Sequence, residues 1–283
     1  MIRSLHSPPP DPQWTPSARH PDSDHEVKRL RGVIFDYGNT LVCVDPRLGS
    51  LRTDYADVVA RPGAERLRAF LARAGALLPS QEEPFVERFL EVRERNRRAA
   101  ERDRLEIPML RSLRETLLDQ KLTALEEDDL ERAVEEFFQA EIELIRAIPG
   151  AGELLLALRR SGIKIALLSN ATSGRYVTRA LRGFGWDGFF DPLLVSADLG
   201  IRKPHAEAFR AVLKHWDLEP GEIAMIGDSL YHDVGGAQAV GIQTVHFTAI
   251  SATLDVTITD PPRPDFRVST HEELRKLLLP DAD

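Results

Sequence analysis

The stretch that decides the fold is GVIFDYGNTLV, residues 32–42. An apolar run ends in the carboxylate of Asp36, and the chain then passes through Gly38, Asn39 and Thr40, which are typical turn residues. Parallel strands that are covered by helices on both faces have such continuous apolar runs. The stretch therefore predicts a central buried strand that presents Asp36 at its carboxyl end.

Five later segments have the same form, a short apolar run followed by polar residues: IKIALLSN (163–170), PLLVSADLG (192–200), EIAMIGDS (222–229), IQTVHFTA (242–249) and DFRVST (265–270). Helical patterns follow or separate them at 149–162, 203–217 and 270–279. Alternating strands and helices are typical of an α/β fold with right-handed crossovers. We predict an open, doubly wound parallel sheet of the Rossmann-like type.

The region from 46 to 146 interrupts this alternation. It is rich in Glu, Arg, Leu and Ala and has helical periodicity almost throughout, which predicts an inserted all-helical cap. The catalytic core is then formed by 29–45 and 147–283. Residues 1–28 carry Pro, Ser and charges without an apolar signal-peptide core, so we expect a disordered tail there.

The composition excludes several classes of partner. The chain has 283 residues, 42% of them hydrophobic, and a formal net charge of −8, so no global positive field attracts nucleic acid or anionic lipid. There is no apolar stretch of about 18 residues that would indicate a membrane span. The single cysteine, Cys43, excludes an intramolecular disulfide and fits a reducing cytoplasm. We expect a small-molecule substrate and a monomer or homodimer.

Polar residues that close the predicted strands are the candidates for chemistry, because ligands of parallel sheets bind beyond the carboxyl ends of the strands. These residues are Asp36, Ser169, Asn170, Lys203, Asp228 and Asp233. Three carboxylates, a hydroxyl, an amide and an amine suit Mg²⁺-assisted phosphoryl transfer to a carboxylate. Each residue alone has a simpler interpretation as a cap, turn or surface group, and Asp233 in particular could cap the helix that follows it.

Four segments together resemble the signature motifs of the haloacid dehalogenase superfamily: FDYGNTL, ALLSN, GIRKPHAEAF and GDSLYHDVGGAQAVG. The resemblance covers most of residues 31–279 and keeps the order of the motifs. In that family a helical insert between the first and second motifs forms the cap, and residues 46–146 occupy that position.

The resemblance implies a role for each candidate. Asp36 would be the nucleophile that forms an aspartyl phosphate, and Mg²⁺ would be held by Asp36, the backbone carbonyl of Gly38 and Asp228, with Asp233 as a more distant ligand. Ser169, Asn170 and Lys203 would bind the phosphoryl group, and Lys203 would also offset negative charge during catalysis. The expected activity is hydrolysis of a small phosphorylated metabolite.

One position departs from the family's pattern. Phosphatases of this superfamily usually have a second Asp two residues after the nucleophile as general acid and base, and this chain has Gly38 there. General acid–base catalysis contributes typically about 10²–10⁴-fold. A phosphatase that takes its acid from Asp45, Asp54 or Tyr55, or that uses a substrate with little need of one, is the first hypothesis.

Two alternatives remain open. A 2-haloacid dehalogenase needs no acid for a halide leaving group, but that branch has an aromatic residue in place of Gly38 and lacks the metal-binding Gly-Asp found here at 227–228. A catalytically weak phosphate-binding regulatory relative is the second alternative. The sequence does not name the substrate, although Arg47, Arg52 and Tyr55 follow the first motif where a flap over the site is expected.

Overall fold

The structure of the protein is a computed structural model that describes residues 30–44, 55–122, 125–250 and 260–280. The predicted tail, 1–28, lies outside the described residues. So do four residues that the sequence analysis considered near the site, namely Asp45, Arg47, Arg52 and Asp54.

Eight strands occur in the described part of the chain: β1 (Gly32–Phe35), β2 (Val42–Val44), β3 (Ile145–Ala147), β4 (Lys164–Ser169), β5 (Leu193–Val195), β6 (Ile223–Gly227), β7 (Gln243–Phe247) and β8 (Phe266–Val268). Six of them form one sheet in the order β5-β4-β1-β6-β7-β8. All of its neighbouring strands are parallel. The predicted open parallel sheet is confirmed, and each of the six apolar runs supplies one strand.

β1 lies at the centre of this sheet. Its last residue, Phe35, pairs with Leu167 of β4 on one side and with Ile226 of β6 on the other. The chain thus leaves β1 at the point where the strand order reverses, which is where open α/β sheets form their ligand-binding crevice. The residues that follow β1, β4 and β6 are brought to a single edge of the sheet.

Ten α-helices lie in the described residues: α1 (Arg61–Arg73), α2 (Glu82–Asp103), α3 (Met109–Asp119), α4 (Glu127–Leu144), α5 (Ala151–Arg160), α6 (Gly174–Gly183), α7 (Ser196–Leu199), α8 (Ala206–His215), α9 (Gly236–Gln238) and α10 (His271–Leu278). Two π-helical turns, Ala56–Ala60 and Leu230–Gly235, lead directly into α1 and α9. Helices α5, α6 and α10 cover one face of the sheet, and α8 and α9 cover the other. Among the described residues, none of the helices has both the length and the apolar character that crossing a membrane requires.

The first four helices form the insert between β2 and β3. Their apolar faces meet around Leu67, Phe89 and Phe137, which are fully buried. The arginines of α2 pair with acids of the same helix, as in Arg97 with Glu94 at 2.8 Å, and with acids of α3, as in Arg95 with Glu115 at 2.6 Å.

A short antiparallel ribbon joins the insert to the core. β2 pairs with β3, with Cys43 opposite Arg146, at the place where the chain leaves the core and returns to it. β3 begins at Ile145, inside the range predicted to be helical. The helix α4 ends at Leu144 because the next three residues pair with β2. The division of the chain into a core and a cap at 46–146 stays a prediction.

Candidate active site

Three buried carboxylates meet at the carboxyl edge of the sheet. Asp36 directly follows β1, Asp228 directly follows β6, and Asp233 lies in the π-helical turn beyond it. Ligand oxygens of these three side chains all lie within 4.8 Å of one another. Each residue is at most 8% exposed. The parallel sheet thus brings together acids that are almost 200 positions apart in the sequence.

Lys203 supplies positive charge to this cluster. Its Nζ lies 2.7 Å from Oδ1 of Asp36 and 2.6 Å from Oδ1 of Asp233. The side chain is 2% exposed, so both contacts are shielded from solvent. A buried ammonium between two carboxylates forms short, charge-assisted hydrogen bonds. The structure therefore brings together Asp36, Lys203, Asp228 and Asp233, and the catalytic and metal-binding roles of these residues stay predictions.

The electrostatics of the cluster depend on burial and on the like charges. Burial raises the pKa of Asp36 to about 6, against the opposing effect of Lys203. Burial, with the neighbouring charges of Asp36 and Asp233, raises the pKa of Asp228 to about 8. Burial alone would lower the pKa of Lys203, but the carboxylates of Asp233 and Asp36 outweigh it and leave that pKa raised.

These groups suit a hard divalent cation. Three carboxylates against one ammonium carry an excess of negative charge when all are ionised, and this excess adds to burial in raising the pKa of Asp228. Carboxylate and carbonyl oxygens are the ligands that Mg²⁺ and similar ions prefer. The donor set of this chain therefore fits the cation that the sequence predicts.

The turn after Asp36 is held by Asn39, whose role the sequence analysis missed. Asn39 adopts a left-handed conformation with a φ of 54°, and its Nδ2 donates to Oδ2 of Asp228 at 3.1 Å. Thr40 Oγ1 lies 3.5 Å from Oδ2 of Asp36. An Asn after Gly in a turn indicates a left-handed residue, but its partner could be identified only from the fold.

Gly38 has room for a side chain. Its φ lies outside the left-handed region, and a Cβ placed on it would have no atom within 4 Å. The positive φ of this turn belongs to Asn39. The backbone does not require glycine at this position, where the pattern of the resembled family predicts a second Asp.

Asn170 and Ser169 lie beyond β4. The side-chain amide of Asn170 spans the backbone of Lys203, accepting from its N–H at 2.8 Å and donating to its carbonyl at 2.9 Å. It thus fixes the segment that carries the ammonium. Ser169 ends β4 and is 3% exposed. The phosphate-binding roles of Ser169 and Asn170 stay predictions.

Asp233 is packed closely against the strand end. A Cβ on Gly227 would lie 2.2 Å from Cγ of Asp233, so this position requires glycine. Oδ2 of Asp233 accepts from the N–H of Ser229 at 3.0 Å, while Oδ1 faces Lys203. The carboxylate of Asp233 thus stabilises the turn that begins at Ser229 and also contributes to the charged cluster.

Tyr55 lies in the insert and contacts Glu141. Its Oη donates to Oε2 of Glu141 at 3.1 Å. Burial and the charge of Glu141 raise the pKa of Tyr55 far above its usual value. A phenol that already donates to a carboxylate and holds its proton so firmly is a poor general acid. The geometry disfavours Tyr55 as the replacement for the missing second Asp.

The sequence matches the haloacid dehalogenase-like hydrolase family over residues 30–241, and the chain belongs to this family. Among characterised relatives, it is 35% identical to glyceraldehyde 3-phosphate phosphatase of Pyrococcus furiosus over 103 residues, which are 36% of this chain and 42% of the relative. It is 32% identical to phosphoserine phosphatase of Thermus thermophilus over 152 residues, which are 53% of this chain and 57% of the relative. The chain thus spans about half the length of these relatives.

Solved structures of the family share the fold. A 2-haloacid dehalogenase from Pseudomonas syringae pv. Tomato aligns with a TM-score of 0.57 at 21% identity, covering 89% of this chain and 100% of that protein. At this level of identity the comparison establishes the α/β fold and leaves the substrate open.

Proposed function

We propose that the protein is a Mg²⁺-dependent phosphatase that hydrolyses a small phosphorylated metabolite through an aspartyl phosphate on Asp36. The observation that carries the proposal is the contact of buried Lys203 with both Asp36 and Asp233, beside Asp228. Such a cluster places a nucleophilic carboxylate beside fixed positive charge, which phosphoryl transfer requires. The phosphatases among the relatives of this chain support the same class of reaction.

In the first step, a carboxylate oxygen of Asp36 attacks phosphorus in line with the leaving oxygen, forming the P–O bond to Asp36 as the bond to the alcohol breaks. Lys203 holds Asp36 in its ionised form and offsets the charge of the transferring group. Asp36, the carbonyl of Gly38, Asp228 and Asp233 would hold Mg²⁺, which would supply the positive charge that lets two anions approach.

Residues after β4 receive the phosphoryl oxygens in this proposal. Ser169, with the neighbouring backbone N–H groups, binds two of these oxygens, and Lys203 binds a third. Asn170 keeps Lys203 in place through the two backbone hydrogen bonds described above. In the second step, water attacks phosphorus, the bond to Asp36 breaks and inorganic phosphate leaves.

Protonation of the leaving group is the step that Gly38 affects. Gly38 has no titratable group, and Asn39 donates its amide to Asp228 and has no proton to give at neutral pH. In this proposal the leaving alkoxide takes its proton from water or from the substrate itself; Asp45 and Asp54, the other acids considered, lie outside the described residues. Substrates with weakly basic leaving groups should react fastest.

Turnover of p-nitrophenyl phosphate and a panel of phosphorylated metabolites, with Mg²⁺ or with EDTA, tests the proposal. We expect Mg²⁺-dependent release of phosphate that is lost in Asp36→Asn. Asp187→Asn is the matched control, because Asp187 is a surface acid that pairs with Arg182. Release of halide from 2-chloropropionate in EDTA, without phosphate release from any ester, would instead establish the dehalogenase alternative. Phosphate binding without turnover would establish the regulatory one.

A further inference from the structure

Residues 104–108, between α2 and α3, and Met109 at the start of α3 attach the helical insert to the loops that carry the candidate site. Three backbone hydrogen bonds make this attachment: Glu106 N to Gly200 O (3.0 Å), Arg202 N to Arg104 O (3.2 Å) and Met109 N to Thr172 O (2.9 Å). Leu105 and Ile201 form an antiparallel bridge between the first two of these bonds. The insert thus contacts both the loop after β4 and the residues just before Lys203.

Glu106 is the buried side chain of this segment. Its carboxylate is 1% exposed, although it comes from the insert and faces the core. Oε2 accepts a hydrogen bond from Ser196 Oγ at 2.6 Å and lies 3.6 Å from the guanidinium of Arg202. Oε1 accepts from the N–H of Ile107 at 3.0 Å. A buried carboxylate is costly unless such partners surround it, so this arrangement specifies how the insert docks.

Ser196 connects Glu106 to the loop after β4, which carries the predicted phosphate-binding residues. Its Oγ accepts a hydrogen bond from the backbone N–H of Ala171 at 3.0 Å while it donates to Glu106. Ala171 directly follows Asn170. A change at Glu106 can therefore reach the loop after β4 through a single hydroxyl.

Arg202 connects Glu106 to the segment of Lys203. Arg202 directly precedes Lys203, and its guanidinium lies 3.0 Å from Oε2 of Glu101 as well as near Glu106. Glu101 in turn contacts Nε2 of His232 at 2.6 Å, and His232 directly precedes Asp233. Arg202 and His232 thus each directly precede a candidate site residue, and Ser196 bonds the residue that follows Asn170.

We propose that Glu106 is a positioning residue for phosphoryl transfer, which fixes Ala171 through Ser196 and the backbone of Lys203 through Arg202. The loop after β4 then has its catalytic shape only while the insert is docked on the core. The inference rests on the proposed function, since it assigns that loop to phosphate binding. Glu106, a residue of the insert, then helps to hold the loops of the candidate site in place.

Two variants test the link. Ser196→Ala removes the hydroxyl that joins Glu106 to Ala171, and Glu106→Gln keeps the shape but removes the charge opposite Arg202. Hydrogen bonds to charged groups are the stronger class, so we expect kcat and kcat/KM for p-nitrophenyl phosphate to fall together by about tenfold in each variant. Both variants disturb the hydrogen bond between Ser196 and Glu106, so the loss in the double variant should be smaller than the product of the two single losses. Glu94→Gln, whose partners Arg97 and Arg98 lie on the same helix, should match wild type.

Amide hydrogen exchange supplies a readout that needs no activity. We expect the peptide containing Ala171 to exchange at least about tenfold faster in Ser196→Ala and Glu106→Gln than in wild type or Glu94→Gln, with the β4 and β6 peptides unchanged. Wild-type exchange at Ala171 in both variants, or fully additive losses of kcat, would overturn the proposal. If the wild-type protein hydrolyses no phosphate ester, the proposed function fails, and the exchange rates at Ala171 still decide whether Glu106 positions that loop.

Discussion

Asn39 donates its side-chain amide to the carboxylate of Asp228 at 3.1 Å, which joins the turn after β1 to the residue after β6. This contact partly offsets a crowd of negative charge, because Asp228 also lies beside Asp36 and Asp233. The pKa of Asp228 nevertheless remains raised to about 8, chiefly by burial. The buried carboxylates thus lower the stability of the fold when no cation is bound, and this effect can be measured.

Asp228→Asn should raise the stability of the protein in EDTA and abolish turnover in Mg²⁺. The pKa of Asp228 is about 8 in the folded protein against an ordinary value of 3.8, so the native state binds the extra proton between about pH 4 and 8. Stability from this group is present at low pH and is lost as the pH rises through 8. The neutral amide removes that loss, so Tm in EDTA at pH 8 should rise by a few degrees, at roughly 2–4 °C per kcal/mol.

The measurement is thermal unfolding of both proteins in EDTA at pH 5 and pH 8, beside turnover of p-nitrophenyl phosphate in Mg²⁺. The gain in Tm should be larger at pH 8 than at pH 5. Asp187→Asn is a suitable control, since Asp187 forms an exposed pair with Arg182. A lower Tm for Asp228→Asn at pH 8 would contradict the charge-crowding explanation.

Affinity for Mg²⁺ should weaken as the pH falls from 8 to 6. Protons compete with the cation for Asp228, whose pKa is about 8, and for Asp36, whose pKa is about 6. The apparent Kd should rise by up to about tenfold per pH unit below 8 where one proton is displaced. Calorimetric titration with MgCl₂ at pH 6, 7 and 8 measures this, and a Kd that is constant across the range would show that Asp228 binds the ion without losing a proton.

Lys203→Met should be inactive and less stable than wild type. The substitution leaves two buried carboxylates, Asp36 and Asp233, without the ammonium that lies within 2.7 Å of each. Breaking a buried pair in this way costs typically about 3–5 kcal/mol. Urea unfolding and turnover would measure both effects, with Lys214→Met as control because Lys214 is exposed and pairs with Glu207. Equal stability of Lys203→Met and wild type would show that the carboxylates take up protons at little cost.

The sequence predicts the sheet and the charged cluster because both follow from local patterns. Continuous apolar runs identify the six parallel strands. Because the carboxyl ends of parallel strands lie at one edge of the sheet, Asp36, Asp228 and Asp233 are expected to come together there. The missed features depend on geometry between distant segments. Glu106 and Ser196 are 90 positions apart in the chain and meet only when the insert docks. Similarly, β3 has only three residues, so no periodicity in the sequence indicates that it pairs with β2.

The helix after β4 illustrates a different omission. α6 begins at Gly174, and its N-terminus is capped by Ser173, whose Oγ accepts from the N–H of Tyr176 at 3.2 Å. Ser before a helical pattern is a recognised start signal. The helical patterns identified from the sequence in the core, at 149–162, 203–217 and 270–279, do not include this segment.

Gly38→Asp should raise the rate with alkyl phosphates much more than the rate with aryl phosphates. p-Nitrophenolate is a weak base that leaves without a proton, whereas an alkoxide needs an acid in the transition state. The wild-type protein should therefore hydrolyse p-nitrophenyl phosphate far faster than glycerol phosphate, by up to about 10²–10⁴-fold. The backbone permits a side chain here, since a Cβ at Gly38 meets no atom within 4 Å and the residue has no left-handed φ.

The comparison requires kcat/KM for both esters in wild type, Gly38→Asp and Gly38→Asn. The asparagine variant is the matched control, because it has nearly the same size and cannot donate a proton at neutral pH. A selective gain with glycerol phosphate in Gly38→Asp alone would show that the missing acid limits the natural enzyme. Equal rates for the two esters in wild type, with no gain in either variant, would show instead that another group already protonates the leaving oxygen. Since Tyr55 already donates to Glu141, Asp45→Asn and Asp54→Asn would then be the pair to measure.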